Sequence, residues 1–242
     1  MKAQEGREEG RAEGRAEGRL VADSIELTYS SGSTQVQALK GVSLDLAPGA
    51  FVALIGPSGS GKTSLLHCLG GLLSPTAGEV RWDGRRLSGL ELPSRIGARG
   101  ASFAYVFQGG NLMPTFTAAE NVAFAAFVSG RRHDVRPLEL LMGVGLEAKA
   151  QALPDELSGG EQQRVAMVRA LAQGARVLLA DEPTGQLDTT TANLVLDLID
   201  SVRAEHPELI VVLATHDVAV ARRAKQSIEI VDGRILQEAS RR

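Results

Sequence analysis

Hydrophobic positions along this chain change their period several times, and each change marks an element. Ile25-Glu-Leu-Thr-Tyr29 and Gly41-Val-Ser-Leu-Asp-Leu46 alternate apolar and polar residues, the period of a half-buried strand. Turn residues at Ser31-Gly-Ser and Pro48-Gly49 bound them. Phe51-Val-Ala-Leu-Ile55 is a continuous apolar run, as expected of a strand covered on both faces. A glycine-rich loop follows, then a helix predicted from Lys62 to about Leu72. Glu79-Val-Arg-Trp82 and the pair Asp83-Gly84 read as another strand and turn. Residues from about 110 to 172 read as mostly helical, with segments near Ala118–Val128, Arg136–Val144 and Gly159–Leu171. The remainder alternates: strand Val177–Ala180, helix Thr189–Glu205, strand Leu209–Ala214, helix Val218–Ala224, strand Ile228–Val231. In the helix from Thr189, the residues Leu194, Val195, Leu198, Ile199 and Val202 fall at helical spacing and predict a core-packing stripe. Such alternation of strand and helix argues for an α/β fold, a mainly parallel sheet with helices on both sides. The helical insert between Gln108 and Val177 is then a separate lobe.

Composition narrows the picture. The chain has 242 residues, enough for one substantial domain or two closely packed lobes. It is 43% hydrophobic and 23% charged with a net charge of −3, so no basic excess points to nucleic acid, and none is expected as a partner. Cys68 is the single cysteine, which excludes an internal disulfide, and its apolar helical surroundings predict burial. Residues 5–19 repeat REEG and RAEG units, mixed charge and glycine without an apolar face. That composition predicts a disordered tail over 1–19, with the folded domain at 20–242. The charged opening residues argue against a secretory leader. Residues 100–119 carry no charge, but Gln108, Gly109-Gly110, Asn111 and Pro114 interrupt their apolar character, so they are not read as a membrane span. Membrane contact is expected only through a partner.

Candidate chemistry starts at Gly56-Pro57-Ser58-Gly59-Ser60-Gly61-Lys62-Thr63, an ungapped phosphate-binding loop between the apolar strand and a helix. The glycines let backbone N–H groups curve around phosphate oxygens, and the helix N-terminus adds its positive end. Lys62 is suited to the β- and γ-phosphates, Thr63 to a Mg²⁺ ion, and Ser64 ends the nucleotide-binding run. Downstream, Val177-Leu-Leu-Ala180 ends in Asp181-Glu182. Asp181 is the natural partner of Mg²⁺, directly or through water, and Glu182 is suited to orient and deprotonate an attacking water. ATP and Mg²⁺ are therefore the expected ligands.

Leu157-Ser158-Gly159-Gly160-Glu161-Gln162 makes the reading specific. Ser158 is placed as a helix N-cap, with Glu161 completing a capping box, and the two glycines leave the helix start bare for phosphate oxygens. Here the sequence resembles the ABC ATPases, whose signature is the LSGGQ segment, with Glu161 in the usual glutamine position. The resemblance covers about residues 21–238. It implies a P-loop NTPase (RecA-like) core with a parallel sheet, an antiparallel β subdomain and a helical signature subdomain at about 109–173. It implies that the signature contacts the γ-phosphate held by the opposite subunit, hence a homodimer with two ATP molecules at its interface. By the same resemblance Tyr29 is the adenine-stacking aromatic, Gln108 the Q-loop glutamine linking Mg²⁺ to the helical lobe, Asp188 the D-loop aspartate, and His216 the switch histidine that senses the γ-phosphate. His67, His133 and His206 match no motif.

Asp181-Glu-Pro-Thr-Gly-Gln-Leu-Asp188 and the run Phe107-Gln…Asn111-Leu-Met-Pro-Thr…Glu120-Asn121-Val look most similar to the lipoprotein-release, macrolide-export and peptide-antibiotic-resistance group, which includes the cell-division ATPase. Its members usually carry asparagine where this chain has Gln186. The implied function is ATP hydrolysis driving a separate transmembrane permease from the cytoplasmic face of the membrane, for export or extraction. The alternative is an ABC-type ATPase regulating a cell-envelope or cell-division complex. A nucleotide-gated scaffold without turnover is disfavoured by Glu182 and His216.

Overall fold

The computed structural model describes residues 17–32, 34–91, 94, 97, 100–131, 133–185 and 187–240. Most of the repeat-bearing tail (1–16) and Gln186 lie outside the described residues. In chain order the elements begin with β1 (Leu20–Ser31), β2 (Thr34–Leu46), β3 (Phe51–Ile55), α1 (Lys62–Leu69), β4 (Ala77–Trp82), β5 (Arg85–Arg86) and β6 (Phe103–Val106). There follow α2 (Ala118–Val128), α3 (Pro137–Met142), α4 (Gly159–Ala172), β7 (Val177–Asp181), α5 (Thr189–Glu205), β8 (Ile210–Ala214), α6 (Val218–Arg223), β9 (Gln226–Val231) and β10 (Arg234–Ser240).

Two sheets form. The first is antiparallel in the order β2-β1-β4-β5, and the second runs β10-β9-β3-β8-β7-β6, parallel except for the β9–β10 hairpin. Strands β1 and β2 are longer than the short alternating runs predicted, because register shifts near Ala22, Ile25 and Leu27 let pairing continue past breaks in the alternation. Arg19, just ahead of β1, forms an ion pair with Asp45 of β2.

Period-two alternation explains the layers. In β3, Val52 and Leu54 face a core shared with α1 and the antiparallel sheet, while Phe51 and Ala53 face one shared with α4, α5 and α6. Strands β7 and β8 split the same way, which is why all three read as unbroken apolar runs. Cys68 lies in the first core, as predicted, and burial pushes its thiol up to about 12. The stripe on α5 is corrected at one position: Leu194 is exposed, and Leu196 packs in the core beside Val195 and Ile199. The apolar face is rotated relative to the predicted one because Leu198, only partly buried, straddles the core and the helical lobe.

That lobe has its own small core of Val122, Leu141, Val144, Leu146, Val165 and Val168. It is less helical than predicted, since turns and short 3₁₀ pieces join α3 to α4. Asn121, fully buried, receives the Met113 N–H at 2.8 Å and donates to the Met113, Phe116 and Thr117 carbonyls, which pins the turn before α2. A capping box between Thr117 and Glu120 starts that helix.

Candidate functional site

The carboxyl ends of β3, β6, β7 and β8 and the loops that leave them carry the phosphate loop, Gln108, Asp181, Glu182, Asp188 and His216, at the end of an open α/β sheet where ligands bind; Tyr29 lies in β1 and the signature segment at the start of α4. After β3, residues 56–61 turn sharply into α1. Gly56 and Gly61 have φ of 148° and 106°, and a Cβ at either would strike a backbone carbonyl, that of Ile230 or Ala38. Gly59, at φ 78°, faces open space, where a phosphate has room to meet backbone N–H groups. The Lys62 ammonium is buried in this loop and donates to the Gly56 and Pro57 carbonyls at 2.8 and 2.9 Å. Those bonds hold its charge at the mouth of the cradle.

Across the sheet, the Thr63 hydroxyl donates to Asp181 Oδ2 at 2.8 Å. The pairing joins residues far apart in sequence, because β7 lies one strand beyond β8, which pairs with β3. Burial pushes the Asp181 carboxyl above its ordinary range, the Thr63 hydroxyl pulls it down, and neighbouring Glu182 adds repulsion. Two hard oxygen donors beside an under-neutralised carboxylate pair suit Mg²⁺, which takes few protein ligands and completes its shell from phosphates and water. No cluster of three or more His, Cys, Asp or Glu that could hold a metal ion exists among the described residues.

Glu182 has φ 49°, a left-handed conformation unusual outside glycine, and its N–H donates to the Ala214 carbonyl at 2.9 Å. That turn carries its side chain to His216, whose Nδ1 lies 2.9 Å from Glu182 Oε1. Glu182 is largely covered, whereas His216 is 71% exposed. Gln108, Gly109, Gln163, Glu182, Gly185 and His216 line a cavity of about 60 Å³, roomy enough for water beside the carboxylate. The larger cavity, about 240 Å³, lies between the 131–140 segment and the C-terminal ends of α4 and α5, and no motif residue lines it.

Tyr29 is half exposed, its hydroxyl 3.2 Å from the Ser64 hydroxyl, so an aromatic ring stands beside the start of α1. Asp188 caps α5, receiving the Thr190 and Thr191 N–H groups at 3.0 and 3.1 Å and the Thr191 hydroxyl at 2.6 Å. The signature segment stands apart. Ser158 and Glu161 close the predicted capping box at the start of α4, with bonds of 2.8 and 3.3 Å. Ser158 and Gly159 are exposed on the helical lobe, and among the described residues no hydrogen bond joins them to the phosphate loop of the same chain.

Sequence reasoning missed three residues near the site. His67 packs against Tyr105 and Phe107, ring centroids 5.6 and 6.3 Å away, and burial holds its imidazole below its usual range. Gln163 and Arg169 of α4 bond to the backbone of residues 107–111. All three are polar positions within helical segments, and nothing in the sequence sets them apart.

Comparison with known proteins agrees with this geometry. A family model described as ABC transporter matches residues 39–185. The pyoverdine export ATP-binding/permease protein PvdT of Pseudomonas fluorescens (strain Pf0-1) is 41% identical over 222 residues, covering 90% of this chain. The chain spans only 33% of the length of that relative. The ATP-binding cassette MJ0796, in a dimeric post-hydrolysis state bound to ADP and Pi, superposes with a TM-score of 0.84 at 36% identity, covering 92% of this chain and 99% of that one. Another dimeric structure of MJ0796, a bacterial ABC transporter cassette, gives 0.82 at 34% identity, with the same coverage of both chains.

Proposed function

The chain belongs to the ABC transporter family and is an ABC-type ATPase, and on that premise we propose that it works as a nucleotide-sandwich dimer driving a separate permease. The observation that carries this reading is the split of the site. Lys62, Thr63, Asp181, Glu182 and His216 converge at the phosphate loop, while Ser158 and its bare helix start face outward on another lobe. A second copy, placed head to tail, supplies the missing donors.

In this reading Lys62 and the residue 56–61 backbone hold the phosphates, and Tyr29 stacks on the adenine. Mg²⁺, held by Thr63 and Asp181 with Gln108 nearby, would neutralise charge between the β- and γ-phosphates. Glu182 orients a water and accepts its proton, with His216 steering the carboxylate through Nδ1 and turning its exposed ring to the γ-phosphate. Ser158, Gly159, Gly160 and Glu161 of one copy, with Asp188 nearby, close over the ATP bound by the other.

A partner surface accompanies the site. Phe124, Phe127 and Val128 of α2 are exposed together, and Phe124 stacks edge-on with Phe116 in the segment after Gln108. An apolar patch so placed suits a permease loop that feels closure and reopening of the dimer. No helix among the described residues is long and apolar enough to cross a membrane. In the proposed reading the permease partner carries the membrane contact, with this chain at the cytoplasmic face. The similarity to an export ATP-binding/permease protein favours export.

Ser158→Arg tests the split site. It should abolish turnover while monomer ATP affinity stays within about twofold, since Ser158 touches no group of its own phosphate loop. Wild-type turnover in this variant would sink the composite site. Recovery of a polytopic permease with ATP-trapped Glu182→Gln supports transport. Recovery of a membrane regulator of a wall enzyme would replace transport by regulation.

A further inference from the structure

Residues 107–111, which carry Gln108, follow a path that leaves their backbone groups short of partners. Gly109, Gly110 and Asn111 all have positive φ, at 121°, 77° and 49°, so neither sheet nor helix pairing is open to them. Two turn bonds, Gly110 N–H to the Phe107 carbonyl and Asn111 N–H to the Gly109 carbonyl, are internal. Side chains of α4 supply four more bonds. Gln163, only 2% exposed, receives the Gly109 N–H at 3.3 Å and donates to the Phe107 carbonyl at 3.4 Å, so its amide brackets Gln108 on both sides. Arg169 donates to the Asn111 carbonyl at 2.7 Å and the Gly110 carbonyl at 3.0 Å. Gln173, which caps the end of α4, donates to the Phe103 carbonyl at 2.9 Å, where β6 begins. The helix is thus bonded to the start of β6 and to the loop after it. The loop also runs close to the helix backbone, since a Cβ at Gly110 would lie 3.2 Å from the Gln162 carbonyl oxygen.

From this lattice of bonds we infer that Gln163 and Arg169 are positioning residues that fix the Gln108 loop to the signature helix of the same chain and so couple the two ATP sites of the dimer. The inference rests on the head-to-tail dimer proposed above. Ser158 at the N-cap of α4 would meet ATP held by the other copy, while Gln108 serves ATP held by its own. A displacement of α4 by the partner's nucleotide then reaches Gln108 through Gln163 without crossing a flexible joint. Among the described residues neither bonds to Lys62, Thr63, Asp181, Glu182 or His216, and Arg169 does not line the small cavity that Gln163 shares with Glu182 and His216, so Arg169→Lys separates loop anchoring from a change in that cavity. Their loss should therefore leave single-site binding intact and weaken communication between sites.

The test compares wild type with Gln163→Met, which keeps length and burial but removes both bonds, and with Arg169→Lys, which keeps charge but cannot span two carbonyls. Three quantities are read: ATP affinity of the monomer, steady-state turnover against ATP concentration, and the melting temperature. The wild type should show a Hill coefficient approaching about two, the number of sites. Both variants should fall toward one, with turnover reduced about tenfold as Gln108 loses its placement, while monomer affinity and melting temperature stay near wild type. A cooperative wild type with equally cooperative variants would overturn the coupling and leave the dimer standing. A non-cooperative wild type would overturn the two-site reading and this inference with it.

Discussion

Replacing Glu182 by glutamine removes one charge and almost nothing else. The amide keeps an oxygen to face His216 Nδ1, which lies 2.9 Å from Oε1, and it keeps the volume of a side chain that is only 14% exposed. The left-handed backbone at φ 49° is unchanged, because both residues bear the same Cβ and Cγ. Lys62 and the Thr63–Asp181 pair are not touched, so ATP binding should persist. What is lost is a group able to take a proton from water in the neighbouring cavity of about 60 Å³. General-base catalysis contributes about 10²- to 10⁴-fold, roughly 3 to 5 kcal/mol of barrier. Phosphate release from Glu182→Gln should fall by that factor, while equilibrium binding of a fluorescent ATP analogue stays within about twofold. Turnover within about threefold of wild type would refute the role given to Glu182 and leave the water without a base.

Three other perturbations follow from the same geometry. Because burial raises the Asp181 pKa, its carboxyl holds a proton more tightly in the folded chain, and the stability it contributes falls as pH rises through the folded value. Asp181→Asn should therefore raise the melting temperature of the nucleotide-free protein near neutral pH while abolishing Mg²⁺-dependent hydrolysis; an unchanged or lower melting temperature would contradict the burial cost. Asp188 has the opposite sign: bonds from the Thr191 side chain and backbone hold its carboxyl below the ordinary value, so its stabilisation is present above about pH 4 and is lost as pH falls further. Asp188→Ala should lower the melting temperature at pH 7 by about 2 to 4 °C through loss of the α5 cap, and the gap should narrow near pH 3; a gap of constant size would argue against the cap. Cys68, buried with its thiol pushed up to about 12, should resist alkylation until the chain unfolds, and rapid native labelling would show an open core around α1.

Much of this was legible in the sequence because the chemistry sits in contiguous runs. Residues 51–63 and 177–182 each carry a strand, its turn and its reactive groups in one segment, and the Ser158–Glu161 capping box forms within four residues. Helices α2 and α5 were predicted at their observed limits from apolar spacing, and the structure adds the caps at Thr117 and Asp188 that start them. Features that depend on distant partners were not legible. Leu196 replaces Leu194 in the α5 stripe because it is the side chain that meets the main sheet core once the helix is docked. The contact between Glu182 and His216, and that between Thr63 and Asp181, exist only once β3, β8 and β7 lie side by side. Gln163 and Arg169 read as ordinary helix surface until the loop after β6 is laid against them.

The central claim is that the phosphate loop of one copy and the signature segment of another form one site. Its most direct test is the mass of Glu182→Gln in solution, measured by light scattering with and without Mg²⁺ and ATP. The account predicts a monomer without nucleotide, a dimer with ATP, and a monomer again when Ser158→Arg is added. A Glu182→Gln protein that binds ATP yet stays monomeric at every concentration tested would contradict it.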